Sequence, residues 1–132
     1  MSVLVDTSVW VPFLRDYDDP VAERLSRLIG EERVLACGPV VAEVLQGASV
    51  EARPRLERLL AALPWAELTR DAWLRVGQVA GDLRTRGVTV PLTDVEIAVA
   101  GETVGAALWS LDSDFLRIRE ALPRLDLFEP EA

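Results

Sequence analysis

The stretch VLVDTSVWV, residues 3–11, decides how the rest of the chain is read. Three apolar residues, enough for a short buried strand, run straight into Asp6. Two hydroxyl residues follow, then an apolar run that reads as a short helical segment over residues 8–14, with Pro12 near its start. A carboxylate closing a buried strand is costly to desolvate unless a hydrogen bond, a counter-charge or a cation compensates it. Fold and function both turn on what compensates Asp6.

The same alternation of short apolar runs and amphipathic segments continues outward. A turn at residues 16–20, DYDDP, leads to a helix with Ala22, Leu25, Leu28 and Ile29 on one face, ended by Gly30. A second strand is expected at residues 34–37. Gly38 and Pro39 then open a helix striped by Val40, Val41, Val44, Leu45 and Ala48. Another helix carries Leu56, Leu59, Leu60 and Leu63 and stops at Pro64, and residues 65–68 read as a short strand or connector. Thr69 or Asp71 caps a longer helix with Ala72, Val76, Val79, Ala80 and Leu83 inward, ended by Gly87. Residues 88–94, VTVPLTD, form a loop or short strand before a helix over 95–104 that is apolar on most sides and therefore buried. A strand at 107–111, a helix at 113–122 and a strand at 125–128 complete the pattern. Short strands alternating with helices predict one α/β domain over 1–132, with a short, mainly parallel central sheet and helices on both faces.

Composition removes several function classes. Half of the 132 residues are hydrophobic, which suits a globular domain. There is no histidine, so Ser-His-Asp and Cys-His catalysis and His-rich zinc sites are excluded. All fourteen basic residues are arginine, which removes Schiff-base lysines and a P-loop lysine. A net charge of −8 argues against a uniformly basic nucleic-acid surface, but not against a local arginine-lined groove. No apolar run is long enough to span a membrane. The N-terminus has no basic region before its apolar stretch, and the lone cysteine, Cys37, cannot form an internal disulfide. The expected location is therefore the cytoplasm. Cys37 reads as a buried small hydrophobe, and Trp10 and Trp73 as packing residues.

The acids fall where ligands collect in parallel sheets, at the carboxyl ends of strands. Asp6 closes the first strand and Asp112 the 107–111 strand, with Asp114 just beyond. Asp94 opens the buried helix, and Glu43 lies in the first turns of the helix after residues 34–37. Singly, each has a structural explanation. Asp6 and Asp112 suit helix N-caps. Thr93 with Glu96 fits a capping box, which places Asp94 in a first turn that welcomes negative charge. Together they repel, by ~4 kcal/mol for a pair at about 4 Å in an intermediate dielectric. Protonation, nearby arginine or a divalent cation relieves that repulsion. With no histidine and one cysteine, the donors are oxygens, which suit Mg²⁺ or Mn²⁺. Such an ion polarises a phosphoryl oxygen and lowers the pKa of bound water, so the natural reaction is phosphodiester hydrolysis.

Four segments in order, LVDTSVWV, VVAEVLQG, LTDVEIAVAG and LWSLDSDFLRI, resemble the signatures of PIN-domain ribonucleases, specifically the VapC-like toxins of prokaryotic toxin–antitoxin pairs. The resemblance implies a PIN-like α/β/α sandwich and an endoribonuclease dependent on Mg²⁺ or Mn²⁺. It implies catalytic roles for Asp6, Glu43, Asp94 and Asp112, with metal ligation by Asp6, Asp94 and Asp112. Asp114 is then a fifth acid, and Thr7, Ser8 and Ser110 support the acidic site. It also implies a homodimer, a small antitoxin whose tail covers the active-site groove, and structured RNA, transfer or ribosomal, as substrate. Glu96 stands where such toxins usually carry an apolar or small residue, and the capping box accounts for it.

With no lysine, phosphate contacts fall to arginine, whose fork matches phosphate geometry. Arg15, Arg53, Arg84 and Arg86 flank loops that border the site and are the candidates; an ordinary solvated surface is the other reading of each. Two rival functions are a non-catalytic interaction module that keeps the acidic pocket and a phosphoryl-transfer domain with Asp6 as nucleophile. The second is disfavoured by Ser8, which stands where haloacid-dehalogenase-like enzymes need an acid, and by the lack of the lysine that receiver-like domains need.

Overall fold

The computed structural model describes residues 1–15 and 18–130. Its elements run β1 (Val3–Val5), α1 (Thr7–Arg15), α2 (Pro20–Gly30), β2 (Val34–Leu35), α3 (Gly38–Gly47), α4 (Arg53–Ala62), α5 (Arg70–Thr85), α6 (Leu92–Val104), β3 (Ala107–Trp109), α7 (Asp114–Ile118) and β4 (Asp126–Leu127). The sheet order is β2-β1-β3-β4 and every pairing is parallel. Val3, Leu4 and Val5 are each fully buried, as expected for a central parallel strand covered on both faces.

The order of the strands positions the site. The chain leaves β1 toward β2 on one side, and leaves β3 toward β4 on the other. Right-handed crossovers in opposite directions along the sheet place helices on both of its faces. Where two neighbouring strands send their connections in opposite directions, a crevice opens at their carboxyl ends. Here that switch point lies between β1 and β3, and Val5 is paired with Trp109. The residues that follow, Asp6 and Ser110, are therefore neighbours, tied by the Asp6 N–H to the Trp109 carbonyl at 2.9 Å.

Local sequence explains most boundaries. Asp19 accepts the Val21 N–H at 2.7 Å, and Pro20 takes the first helical position of α2. Of the two candidate caps for α5, Thr69 accepts the Ala72 N–H at 3.2 Å, and Asp71 lies inside the first turn. Helix α6 is buried along Val95 and Ile97–Gly101, and Gly105 at φ +70° closes it so that the chain turns directly into β3. Trp10, Trp109, Phe115, Leu4 and Leu108 are among the largest fully buried side chains around the sheet.

Several expectations are corrected. Pro12 lies well inside α1, not near its start, because Thr7 already belongs to the helix. Strand pairing at 34–37 covers only Val34 and Leu35; Ala36 makes a single bridge to Trp65, and Cys37 is the N-cap position of α3. Residues 65–68 are otherwise a connector, and residues 88–91 are a loop. Strands β3 and β4 are shorter than the apolar runs that announce them; after Trp109, Ser110 and Leu111 bond to Asp6 and Ser8 instead of extending the sheet. Gly30 ends α2, but the left-handed residue that redirects the chain is Glu32, at φ 57°. The capping box does not form: α6 starts at Leu92, so Thr93 is already helical and caps nothing. Trp73 is about half exposed, so only Trp10 of that pair is a core residue. Part of the 16–20 turn, Asp16 and Tyr17, lies outside the described residues.

Candidate active site

Asp6 is 5% exposed and is the one buried charged residue among the described residues. Its Oδ2 accepts the Ser8 hydroxyl at 2.7 Å, the Ser110 hydroxyl at 2.8 Å and the Ser8 N–H at 3.4 Å. The last contact is the N-cap interaction expected at the start of α1. Both hydroxyls are oriented by the backbone beyond β3. The Leu111 N–H donates to Ser8 Oγ and the Asp112 N–H to Ser110 Oγ, each at 2.9 Å. Each hydroxyl thus accepts from an amide on one side and aims its proton at Asp6 on the other. The Asp112 carboxylate accepts the Asp114 N–H at 2.9 Å, but the N-cap position of α7 is Ser113, one residue after the expected Asp112. Thr7, on the far side of Asp6, donates its hydroxyl to Glu43 Oε1 at 2.8 Å.

The acids do not form one equidistant set. Carboxylate oxygens of Asp94, Asp112 and Asp114 lie within 4.8 Å of one another. Asp6 stands behind its serine pair, and Glu43 is bound to Thr7; neither belongs to that close group. Both are near enough to be felt at Asp94, whose carboxyl is pushed up to about 7. Burial is the main cause, followed by the charges of Asp6, Asp112, Asp114 and Glu43. Asp94 Oδ2 is buried and has no hydrogen-bond partner. Glu96 is also raised, by burial and then by Glu43. Cys37 is fully buried and its thiol is pushed up to about 12, chiefly by burial, so it is an inert packing residue.

A carboxyl with a buried, unpartnered oxygen, grouped with two further carboxylates, fits a hard divalent cation. The donors are all oxygen, and the nearby thiol is held protonated, so Mg²⁺ or Mn²⁺ suits the set better than Zn²⁺.

The four candidate arginines are dispersed. Arg15 borders a cavity of about 670 Å³, mostly apolar, that reaches Thr7 and Glu43. Arg53 donates to the Ala48 carbonyl at 3.4 Å. Arg84 borders a smaller cavity beside Thr89 and Leu92, and Arg86 pairs with Asp82 at 3.5 Å. The arginine that touches the acidic group is one the sequence reading passed over. Arg117 reaches Asp114 Oδ1 at 3.1 Å and the Thr89 carbonyl at 2.6 Å. Its spacing of three residues from Asp114 on a helix was the available signal.

A parallel α/β domain with an all-oxygen carboxylate site at its switch point defines the class. The chain belongs to the PIN-domain family, whose family model matches residues 3–121. Ribonuclease VapC11 of Mycobacterium tuberculosis (strain ATCC 25618 / H37Rv) is 34% identical over 120 residues, covering 86% of this chain and 88% of that protein. Ribonuclease VapC32 of the same strain is 35% identical over 112 residues, covering 83% and 84%. Among solved structures, the fold is similar to VapBC2 from Rickettsia felis bound to a promoter DNA fragment. The TM-score is 0.77 at 20% identity, covering 99% of this chain and 100% of that one. It is also similar to M. tuberculosis VapC20, described as a sarcin-ricin loop cleaving toxin, with a TM-score of 0.64 at 19% identity over 87% and 93%.

Proposed function

We propose that the protein is the toxin of a toxin–antitoxin pair, an endoribonuclease dependent on Mg²⁺ or Mn²⁺ that hydrolyses phosphodiester bonds in transfer or ribosomal RNA. The observation that carries the reading is the close approach of Asp94, Asp112 and Asp114 at the β1/β3 switch point, with Asp94 Oδ2 unpartnered. Relatives named as VapC ribonucleases, matched over most of their length, support it.

In this reading Asp94 and Asp112 hold the cation, with Asp114 as a third ligand and Asp6 adding its charge from the end of β1. A bound Mg²⁺ or Mn²⁺ supplies Lewis-acid polarisation of the phosphoryl oxygen and acidifies attacking water. The chain's own residues do the rest. Ser8 and Ser110 fix the Asp6 carboxylate, so its free oxygen keeps one direction. Thr7 fixes Glu43 at the mouth of the crevice, where its carboxylate can accept a proton from water. Asp6 is a poor nucleophile, because it is buried and one oxygen already accepts three donors; this weighs against phosphoryl transfer through an aspartyl intermediate.

The antitoxin would lay an apolar tail along the cavity bordered by Val11, Phe13, Leu56 and Leu59, which ends beside Glu43 and so covers the site. Homodimerisation and a cytoplasmic location belong to the same reading. No helix among the described residues is long and apolar enough to cross a membrane.

The test is cleavage of a mixed transfer and ribosomal RNA substrate by antitoxin-free protein, with Mn²⁺, with Mg²⁺ and with chelator. Cation-dependent cleavage lost in Asp94→Asn supports the reading. Cation binding without cleavage would favour the interaction module, and absence of cation binding would sink the nuclease.

A further inference from the structure

Arg117 sits one helical turn beyond Asp114 on α7, and a single nitrogen, Nη2, donates to two acceptors of different origin. One is the Asp114 carboxylate, a member of the close group with Asp94 and Asp112. The other is the carbonyl of Thr89, in the loop that runs directly into α6 and Asp94. Other arginine ion pairs, such as Arg33–Glu31, Arg75–Glu102 and Arg86–Asp82, engage carboxylates outside this group. The Arg117 side chain is 51% exposed and that of Asp114 26%. Such a pair is screened and exchangeable, unlike a fully buried bridge.

We propose that Arg117 is a positioning residue that serves Asp114 as a resident counter-ion, whose charge an incoming divalent cation must work against to gain its third carboxylate. The inference rests on the cation-site reading above. Without an ion, three carboxylates within 4.8 Å repel, and the guanidinium offsets part of that repulsion. With an ion, the same guanidinium is a positive charge beside a doubly positive one, and the offset becomes a cost. The Thr89 contact keeps the arginine beside the site whether or not it stays on Asp114, since a guanidinium has donors to spare. Arg117 therefore sets how much free cation the protein needs before its site is filled.

The test is Mn²⁺ titration by calorimetry on the full, partner-free chain, together with thermal unfolding in chelator and in Mn²⁺. Arg117→Met keeps the aliphatic stem and removes the charge. Arg117→Gln is a second neutral variant that retains a donor for the Thr89 carbonyl, and Arg117→Lys keeps the charge. Both neutral variants should bind Mn²⁺ about threefold to tenfold more tightly than the parent, with Arg117→Lys within about twofold of it. The rise in Tm on adding Mn²⁺ should be larger in the neutral variants, because binding to the folded state stabilises in proportion to affinity. A purely structural arginine would lower Tm equally with and without Mn²⁺ and leave affinity unchanged. That result, or weaker Mn²⁺ binding in the neutral variants, overturns the proposal alone. A parent that binds no Mn²⁺ overturns the cation-site reading, and this proposal with it.

Discussion

Ser110 Oγ donates to Asp6 Oδ2 at 2.8 Å across 104 residues of chain, and accepts the Asp112 N–H at 2.9 Å. One hydroxyl thereby couples the acid at the end of β1 to the backbone that presents Asp112. Removing it by Ser110→Ala strips a donor from a buried carboxylate and an acceptor from an amide. The expected loss is about 1–3 kcal/mol of stability. Denaturant unfolding of Ser110→Ala, Ser8→Ala and the double variant measures it. Because both hydroxyls serve the same oxygen, the two losses should not add; simple additivity would show that the serines act independently.

Above about pH 7, where Asp94 is ionised, Asp94→Asn removes one charge from a group of like charges and leaves the shape almost unchanged. The chelated protein should become more stable, while Mn²⁺ binding should fall by at least an order of magnitude. Unfolding in chelator and Mn²⁺ calorimetry give the two halves. A variant that is less stable and still binds Mn²⁺ normally would contradict the placement of Asp94 at the centre of the repulsion.

The raised carboxyl of Asp94 also makes a pH prediction. In the folded, cation-free chain it is pushed up to about 7, from an ordinary 3.8. Between those values the folded state keeps a proton that the unfolded chain has released. Asp94 therefore makes stability fall as pH rises from about 4 to about 7. Mn²⁺ requires the ionised form, so its affinity should rise across the upper part of that window and level off above it. Tm against pH, measured in chelator and in Mn²⁺, should diverge as pH approaches 7. Parallel curves would refute the assignment.

Gly105 ends α6 at φ +70° and leaves no room for delay before β3 begins at Ala107. A Cβ added there meets no atom within 4 Å, so the cost of Gly105→Ala is backbone strain rather than collision. About 1 kcal/mol of destabilisation is expected. Gly77→Ala, in the interior of α5 and also unobstructed, should instead be neutral or stabilising. Paired denaturation curves test the contrast in sign.

The antitoxin assignment can be tested at Val11, which is half-buried on the wall of the cavity. Val11→Glu places a charge on the apolar path proposed for the tail. Co-purification with the cognate antitoxin should weaken by at least tenfold while the variant unfolds cooperatively. Undiminished binding would place the antitoxin elsewhere.

The residues themselves carried much of this. A three-residue apolar run ending in Asp6, and the same grammar at Asp112, announced parallel strands with acids at their carboxyl ends. The lack of histidine and lysine narrowed the donors to oxygen. Element ends were less legible where a residue serves the tertiary structure first. Thr93 and Glu96 have capping-box spacing, but α6 begins one residue before Thr93, following Pro91. Trp73 has helical spacing among apolar residues, yet it lies on the outer side of α5.

By itself, then, the sequence determined the α/β class, the order of the acids and an all-oxygen set of donors, because these follow from residue type and local periodicity. Only the tertiary structure decided that Asp94, Asp112 and Asp114 draw together while Asp6 takes the hydroxyls of Ser8 and Ser110, and that Arg117 reaches Thr89. Those relationships depend on the register of β1 against β3 and on where helices α6 and α7 meet. Such contacts join residues far apart in the chain, and no local pattern encodes their distance.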